Sequence, residues 1–418
     1  MINVVFDDFK ERSNLRNFNE LTSSGLHKLG WSPLVGSMSH YCGDFVFSYN
    51  SKDSNKLSHY IYAIGVQTRP EDWAHTETKT QPSLFALLSK ERLADIKNKK
   101  CLLVIDSSFE GYTSDWLWAW FHRKTDIFQI DPTSIVYTSS NALDPALYKD
   151  WADKNNVEKR IKVLCFEYFE LDIHNKAKQS KANVSWDNII EFKKSNLDKI
   201  KTFNCLNKRP RTHRIWFFTK LVKEKLLDKG LVSLHQWPEH VYPIDGEKLS
   251  KEDIDLAIKF TPLNLYDDNP LGKDDGFYIE RLIPQLYLDS WISVITEPFF
   301  DESQNSTMLS EKIFKPIANK HPFIIVGGKN SLQRLRDIGY KTFNGWIDER
   351  YDTMTSHNRM NAIITSIRQF EHVEDKLTWY RSMKDVLEFN YNKLMNYKLG
   401  SSTTVKELTQ YYKQYFNC

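Results

Sequence analysis

Cysteine is sparse and patternless. The five in 418 residues, Cys42, Cys101, Cys165, Cys205 and Cys418, are odd in number and none forms a CxxC pair. That excludes a zinc signature and a disulfide framework. Cys101 and Cys165 lie inside apolar runs, where a free thiol acts as a small hydrophobe. Long apolar runs are lacking too, and none approaches the roughly 20 residues that cross a bilayer. The first residues, MINVVFDDFKERS, have neither the basic start nor the apolar centre of a secretory leader. The expected compartment is therefore reducing: the cytoplasm, or the host cytoplasm for a viral source.

A charge excess of one sign is also missing. The net charge is +3, whereas a dedicated nucleic-acid binder carries a larger basic surplus. The chain has no GxGxxG loop and no phosphate-loop motif, which argues against a dehydrogenase and against an unrelated nucleotide-binding α/β enzyme. The DxD pattern of metal-dependent sugar transfer occurs at Asp253-Ile254-Asp255. It sits inside the helix-like SKEDIDLAIKF, where the carboxylates read as helix caps. No obligatory metal and no cofactor are expected.

Several features are present in strength. The length suits two domains of roughly 200 residues each. Aromatics are abundant, with 12 Trp, 20 Tyr and 25 Phe, a supply that can fill cores or stack on sugar faces. Apolar strand-like runs at 59–66, 100–106, 134–138 and 161–166 are separated by helix-like segments, the pattern of a parallel α/β sheet. A second series follows at 201–206, 291–296, 322–326 and 341–343. A polar, Lys/Asn/Ser-rich stretch, 175–201, divides the two, and everything after 358 reads as helix. The expectation is an α/β chain with two Rossmann-like domains facing a cleft and a helical C-terminal tail. Its boundaries are a first domain at 1–198, a second at 199–358 and C-terminal helices at 359–418 that pack on or across the domains.

The chemistry concentrates in ITEPFFDESQNSTMLSEKIFKPIANKHPFIIVGG, residues 295–328. A strand ends at Thr296-Glu297, and a polar loop leads to Ser310, a good N-cap. Glu311 and Lys312 then occupy the first helical turn, where free N–H groups and the helix dipole favour a phosphate. Lys312 adds a full charge, and Glu311 can accept from ribose hydroxyls. Ser-Glu-Lys alone also describes a capped surface helix. The second element is FNCLNKRPRTHR, 203–214, at the start of a span in which seven cations face Glu224 alone. Asn204 lies on its strand. Arg211 and Arg214 suit bidentate phosphate contacts, although a solvated basic helix start gives the same pattern.

The order Thr296-Glu297, Ser310-Glu311-Lys312, apolar helix, Pro322 and an apolar strand ending in glycine resembles the donor-binding motif of α1,3-fucosyltransferases. It is also similar to glycosyltransferases of large phages and bacteria. The resemblance covers 203–214 and 291–343, less than a fifth of the chain. It implies a fold of GT-B type, with 1–198 the acceptor-side domain and 199–358 the nucleotide-sugar domain, that Glu311 holds the donor ribose, that Lys312 holds its diphosphate, and that an arginine after the first strand, Arg211 or Arg214, approaches the same diphosphate. Ser310 replaces the family's Thr, and Pro316 stands where the helix should continue. The activity implied is metal-independent transfer of a sugar, with inversion, from a nucleoside-diphosphate sugar to a hydroxyl of a glycan, a lipid-linked sugar or a modified nucleobase. The base would be Glu110 or Asp106, after the apolar run KCLLVID, with His40 and Asp44 behind them. Asp106 reads equally as a loop-ordering residue. The alternative function is a non-catalytic carbohydrate- or nucleic-acid-binding protein built on a relic of the fold.

Overall fold

A computed structural model of the chain describes residues 1–6, 29–30, 32–43, 45–48, 51–66, 70–74, 84–111, 114–180, 184–208, 210–234, 249–263, 265 and 282–418. The chain forms two compact units. The first is Met1–Tyr168 together with Lys398–Cys418, and the second is Phe169–Tyr397.

These limits differ from the sequence-based boundaries at 198/199 and 358/359. The polar stretch after 175 is not a linker. It contributes to the helices Tyr168–Gln179 and Trp186–Ser195, whose Ile173 and Ile189 enter the core of the second unit. Its polar composition belongs to the solvated faces of two amphipathic helices. The C-terminal region is also shared out. Helices Ser356–Glu371, Lys376–Ser382 and Lys384–Met395 stay with the second unit, while Thr403–Phe416 returns to the first. There Tyr411 donates to the Thr133 carbonyl at 2.8 Å, and Lys162 pairs with Glu407 at 3.1 Å.

The first unit is built on β1 (Ile2–Val5), β2 (Leu29–Gly30), β3 (Phe45–Ser48), β4 (Tyr60–Val66), β5 (Cys101–Ser107), β6 (Ile135–Ser139) and β7 (Lys162–Cys165). The order is β3-β1-β4-β5-β6-β7, with every pair parallel and β2 added antiparallel to β4. All seven residues of β4 and of β5 are buried. This accounts for their unbroken apolar runs, since a central parallel strand is covered on both faces. The Trp-rich helix Asp115–Phe128 buries Leu117, Trp118, Trp120 and Phe121 in the same core.

The second unit carries β8 (Lys201–Asn207), β9 (Gly230–Leu234), β10 (Ser290–Thr296) and β11 (Phe323–Val326) in the all-parallel order β11-β10-β8-β9. β8 has β9 on one side and β10 on the other. The strand order therefore reverses between β8 and β10, and in open α/β sheets the ligand crevice lies outside the carboxyl ends of the strands at such a point. The strand expected at 341–343 does not form. Asn390 Oδ1 takes the Lys341 N–H at 2.8 Å and Glu349 takes that of Phe343 at 2.5 Å, so side chains occupy the donors a ladder would use.

Candidate functional site

At the β8/β10 reversal, β10 runs straight into Glu297, whose N–H is fixed by the Val326 carbonyl of β11 at 2.9 Å. The Glu297 carboxylate is buried. It accepts the Ser310 N–H at 3.2 and 3.3 Å, and it also accepts the Ser310 hydroxyl. Ser310 is the N-cap of the helix Glu311–Ala318. With its proton turned to Glu297, its Oγ presents lone pairs to the Lys312 N–H at 3.3 Å and to Lys312 Nζ at 3.2 Å. Lys312 Nζ also donates to Glu311 Oε1 at 2.7 Å. One strand end, one cap and one first turn are thus joined in a polar chain from Glu297 through Ser310 and Lys312 to Glu311.

Charge in this group is shaped by burial. Burial is the main force lifting the Glu297 carboxyl to about 7, against the pull of Lys312 and Ser310. Glu311 is pushed up by its own burial, yet the Lys312 ammonium and its hydrogen bond outweigh that and hold the carboxylate below its ordinary value. One turn on, burial lowers the Lys315 ammonium to about 8. Pro316 lies within this eight-residue helix. Having no N–H, it leaves the Lys312 carbonyl without its regular helical donor.

The helix Thr212–Lys223 follows β8 and meets the same strand end. Arg211 donates to the Pro298 carbonyl at 2.7 Å, and Arg214 donates to the Thr296 carbonyl at 3.0 Å. His213 Nε2 lies 3.0 Å from the Glu297 carbonyl, and since a carbonyl can only accept, this nitrogen carries the proton. Burial first, then Arg214, Arg211 and Lys312, depress His213 well below its ordinary value and keep it neutral. Burial and Arg211 likewise bring Arg214 down to about 10. Three cations, Arg211, Arg214 and Lys312, thus meet the carboxyl groups of Glu297 and Glu311 at the carboxyl end of β10, and a cation cluster of this kind suits a phosphorylated ligand.

The 297–310 loop needs a close neighbour. A Cβ on Gly328 would come within 2.3 Å of the Ser306 carbonyl oxygen. Gly328→Ala should therefore displace the loop and lower stability by about 1–3 kcal/mol, read from urea unfolding. An unchanged midpoint would show that the loop can give way. On its other flank the loop is held by Arg359, which is buried and donates to the Phe300 carbonyl and, at 3.1 Å, to Glu302. The Phe300 ring in turn stacks on His213 with centroids 5.6 Å apart.

The structure brings together Glu297, Ser310, Glu311, Lys312, Arg211 and Arg214. Asn204 is placed elsewhere. It is buried in mid-strand, and its amide donates to Ser290 Oγ at 2.8 Å and Ser293 Oγ at 3.1 Å. That network continues to His321, 2.9 Å from Ser293 Oγ. The residue at the strand's carboxyl end is Asn207, whose Oδ1 accepts from Thr296 Oγ1 at 2.6 Å. The sequence pattern gave no role to His213, Phe300 or Arg359. Gly328 stood out only as the end of its apolar strand, and His213 only by lying between two candidate arginines.

In the first unit, Asp106 ends up fully buried. Its carboxylate accepts from Ser32 Oγ at 2.6 Å, Leu34 N at 2.7 Å, Thr138 Oγ1 at 2.8 Å, Ser108 N at 3.1 Å and the Ser108 hydroxyl. Ser32 is itself the N-cap of the helix Pro33–Tyr41. Asp106 therefore holds a helix start and the loop after β5, with all its acceptor capacity engaged. Glu110 is part-exposed in that loop, where its N–H donates to the Ser107 carbonyl at 2.9 Å and its own carbonyl accepts from Ser140 at 3.1 Å. Asp44 and the side chain of His40 lie outside the described residues. Asp253 accepts from Ser250 and pairs with Lys223 at 2.5 Å, at the start of the helix Lys251–Ile258. Among the described residues no helix is long and apolar enough to cross a membrane.

No protein-family model and no curated protein matches the chain. Among solved structures it is similar to an alpha,alpha-trehalose 6-phosphate synthase from Burkholderia multivorans, with 10% identity, 87% of this chain and 74% of the other covered, and a TM-score of 0.46. It is also similar to a UDP-forming alpha,alpha-trehalose-phosphate synthase from Burkholderia vietnamiensis, with 10% identity, coverages of 78% and 75%, and a TM-score of 0.41. A third similarity is to the N-terminal domain of Candida albicans trehalose-6-phosphate phosphatase, with 11% identity, coverages of 86% and 72%, and a TM-score of 0.39. Likeness at this level assigns no residue and no substrate.

Proposed function

We propose that this chain is a glycosyltransferase of GT-B type that moves a sugar from a nucleoside-diphosphate sugar to an acceptor hydroxyl. The observation that carries the reading is the meeting of two segments far apart in sequence. Arg211 and Arg214 follow β8, Glu297 and Ser310-Glu311-Lys312 follow β10, and both sets converge where the strand order reverses. A strand reversal, a capped helix start and a cation cluster together suit a diphosphate.

The acceptor oxygen attacks the anomeric carbon while the bond from that carbon to the diphosphate oxygen breaks. The hydroxyl proton passes to Glu110, and the sugar is delivered with inversion. Lys312, Arg211 and Arg214 neutralise the departing diphosphate with no metal required, and Glu311 takes the ribose, which is fucosyltransferase-like donor handling. Glu110 is preferred to Asp106 as base because it is part-exposed and Asp106 is fully engaged. The acceptor is a hydroxyl of a glycan, a lipid-linked sugar or a modified nucleobase. The five free cysteines accord with a cytoplasmic enzyme.

A thermal-shift screen against nucleoside diphosphates and nucleotide sugars tests this reading. At least one nucleotide should raise the unfolding temperature, because a ligand that binds only the folded state stabilises it by mass action. No shift with any of them at millimolar concentration would count against a transferase and for a relic of the fold.

A further inference from the structure

We propose that Glu311 and Lys312 form a selectivity latch that opens for a nucleoside diphosphate and stays shut to bare phosphates. The inference rests on the donor-site reading above. Lys312 has solvent access, its side chain 23% exposed, and its ammonium is already held by Glu311 at 2.7 Å and by Ser310 at 3.2 Å. Glu311 is nearly buried, its side chain 7% exposed, and it owes its low pKa to that ammonium.

A diphosphate that recruits Lys312 has to draw the ammonium away from Glu311. A buried carboxylate that loses its cation without compensation is strongly penalised. Inorganic pyrophosphate offers Glu311 at most one P–OH on a multiply charged anion, and its other oxygens repel a carboxylate. A nucleoside diphosphate brings two ribose hydroxyls, which can donate to Glu311 as Lys312 turns to the phosphates. The exchange is then one of partners, with no charge left bare. Arg211 and Arg214 stay at the same strand end on the Pro298 and Thr296 carbonyls, so the latch selects among anions without abolishing their attraction. Phosphate and ribose recognition are thereby coupled, and abundant phosphate and pyrophosphate do not occupy the site.

The test is calorimetry on the full chain with three probes: inorganic pyrophosphate, the best-binding nucleoside diphosphate and its 2′,3′-dideoxy analogue. Glu311→Gln keeps the shape and removes the charge. The wild type should bind the nucleoside diphosphate much more tightly than either other probe. The E311Q variant should bind pyrophosphate at least about tenfold more tightly than the wild type does, and it should discriminate less between ribose and dideoxyribose. Adding Lys312→Ala should erase the gain for pyrophosphate, a result that general loosening of the fold would not give. Unchanged or weaker pyrophosphate binding by E311Q, with nucleotide binding by the wild type intact, overturns the latch alone. Absence of nucleoside-diphosphate binding by the wild type overturns the donor-site reading and the latch with it.

Discussion

Lys312→Ala is expected to lower turnover by about 100- to 1,000-fold, the usual consequence of removing one preorganised contact to developing negative charge. The leaving diphosphate gains charge as the glycosidic bond breaks, so an ammonium beside it is worth more in the transition state than in the ground state. Ser310 accepts from both the Lys312 N–H and Nζ, and Glu297 fixes Ser310, so the ammonium waits at the helix start and has only to turn from Glu311 to the phosphates. The measurement is steady-state transfer with kcat and KM resolved. A variant with normal kcat and only a raised KM would show that Lys312 binds the donor without assisting departure.

Glu110→Gln should reduce transfer by about 100-fold or more, the scale of general-base assistance, while leaving nucleotide affinity nearly unchanged. Asp106→Asn should behave in the opposite manner. Five donors converge on the Asp106 carboxylate, and an amide turns part of that acceptor into a donor facing donors. A stability loss of about 2–4 kcal/mol is expected, visible as a lower urea midpoint. The pair of variants separates chemistry from architecture at the end of one strand. Full activity in E110Q would move the base elsewhere, and unchanged stability in D106N would contradict the loop-ordering role.

The parallel α/β organisation was legible because β4 and the first five residues of β5 are unbroken apolar runs that end at polar residues. The capped helix start of the candidate site was legible because Ser310, Glu311 and Lys312 are consecutive and a cap is a local feature. What depends on packing was not. The amphipathic helices Tyr168–Gln179 and Trp186–Ser195 look like a linker until Ile173 and Ile189 are seen in a core. The return of Thr403–Phe416 to the first unit is written in contacts with Thr133 and Lys162, far away in sequence. Asn204 and Asn207 are three positions apart on one strand, and only the register with β10 distinguishes a buried strap from a strand-end residue. His213 and Arg359 act through the carbonyls of Glu297 and Phe300, and main-chain partners leave no trace in composition or spacing.

Isothermal calorimetry of nucleoside diphosphates against the wild type and Lys312→Ala tests the central claim most directly. The account predicts that the wild type binds at least one of them with a single site per chain, and that the variant binds it at least about tenfold more weakly, a loss of about 1.4 kcal/mol or more. Equal affinity in both proteins, or no binding by either, would contradict it.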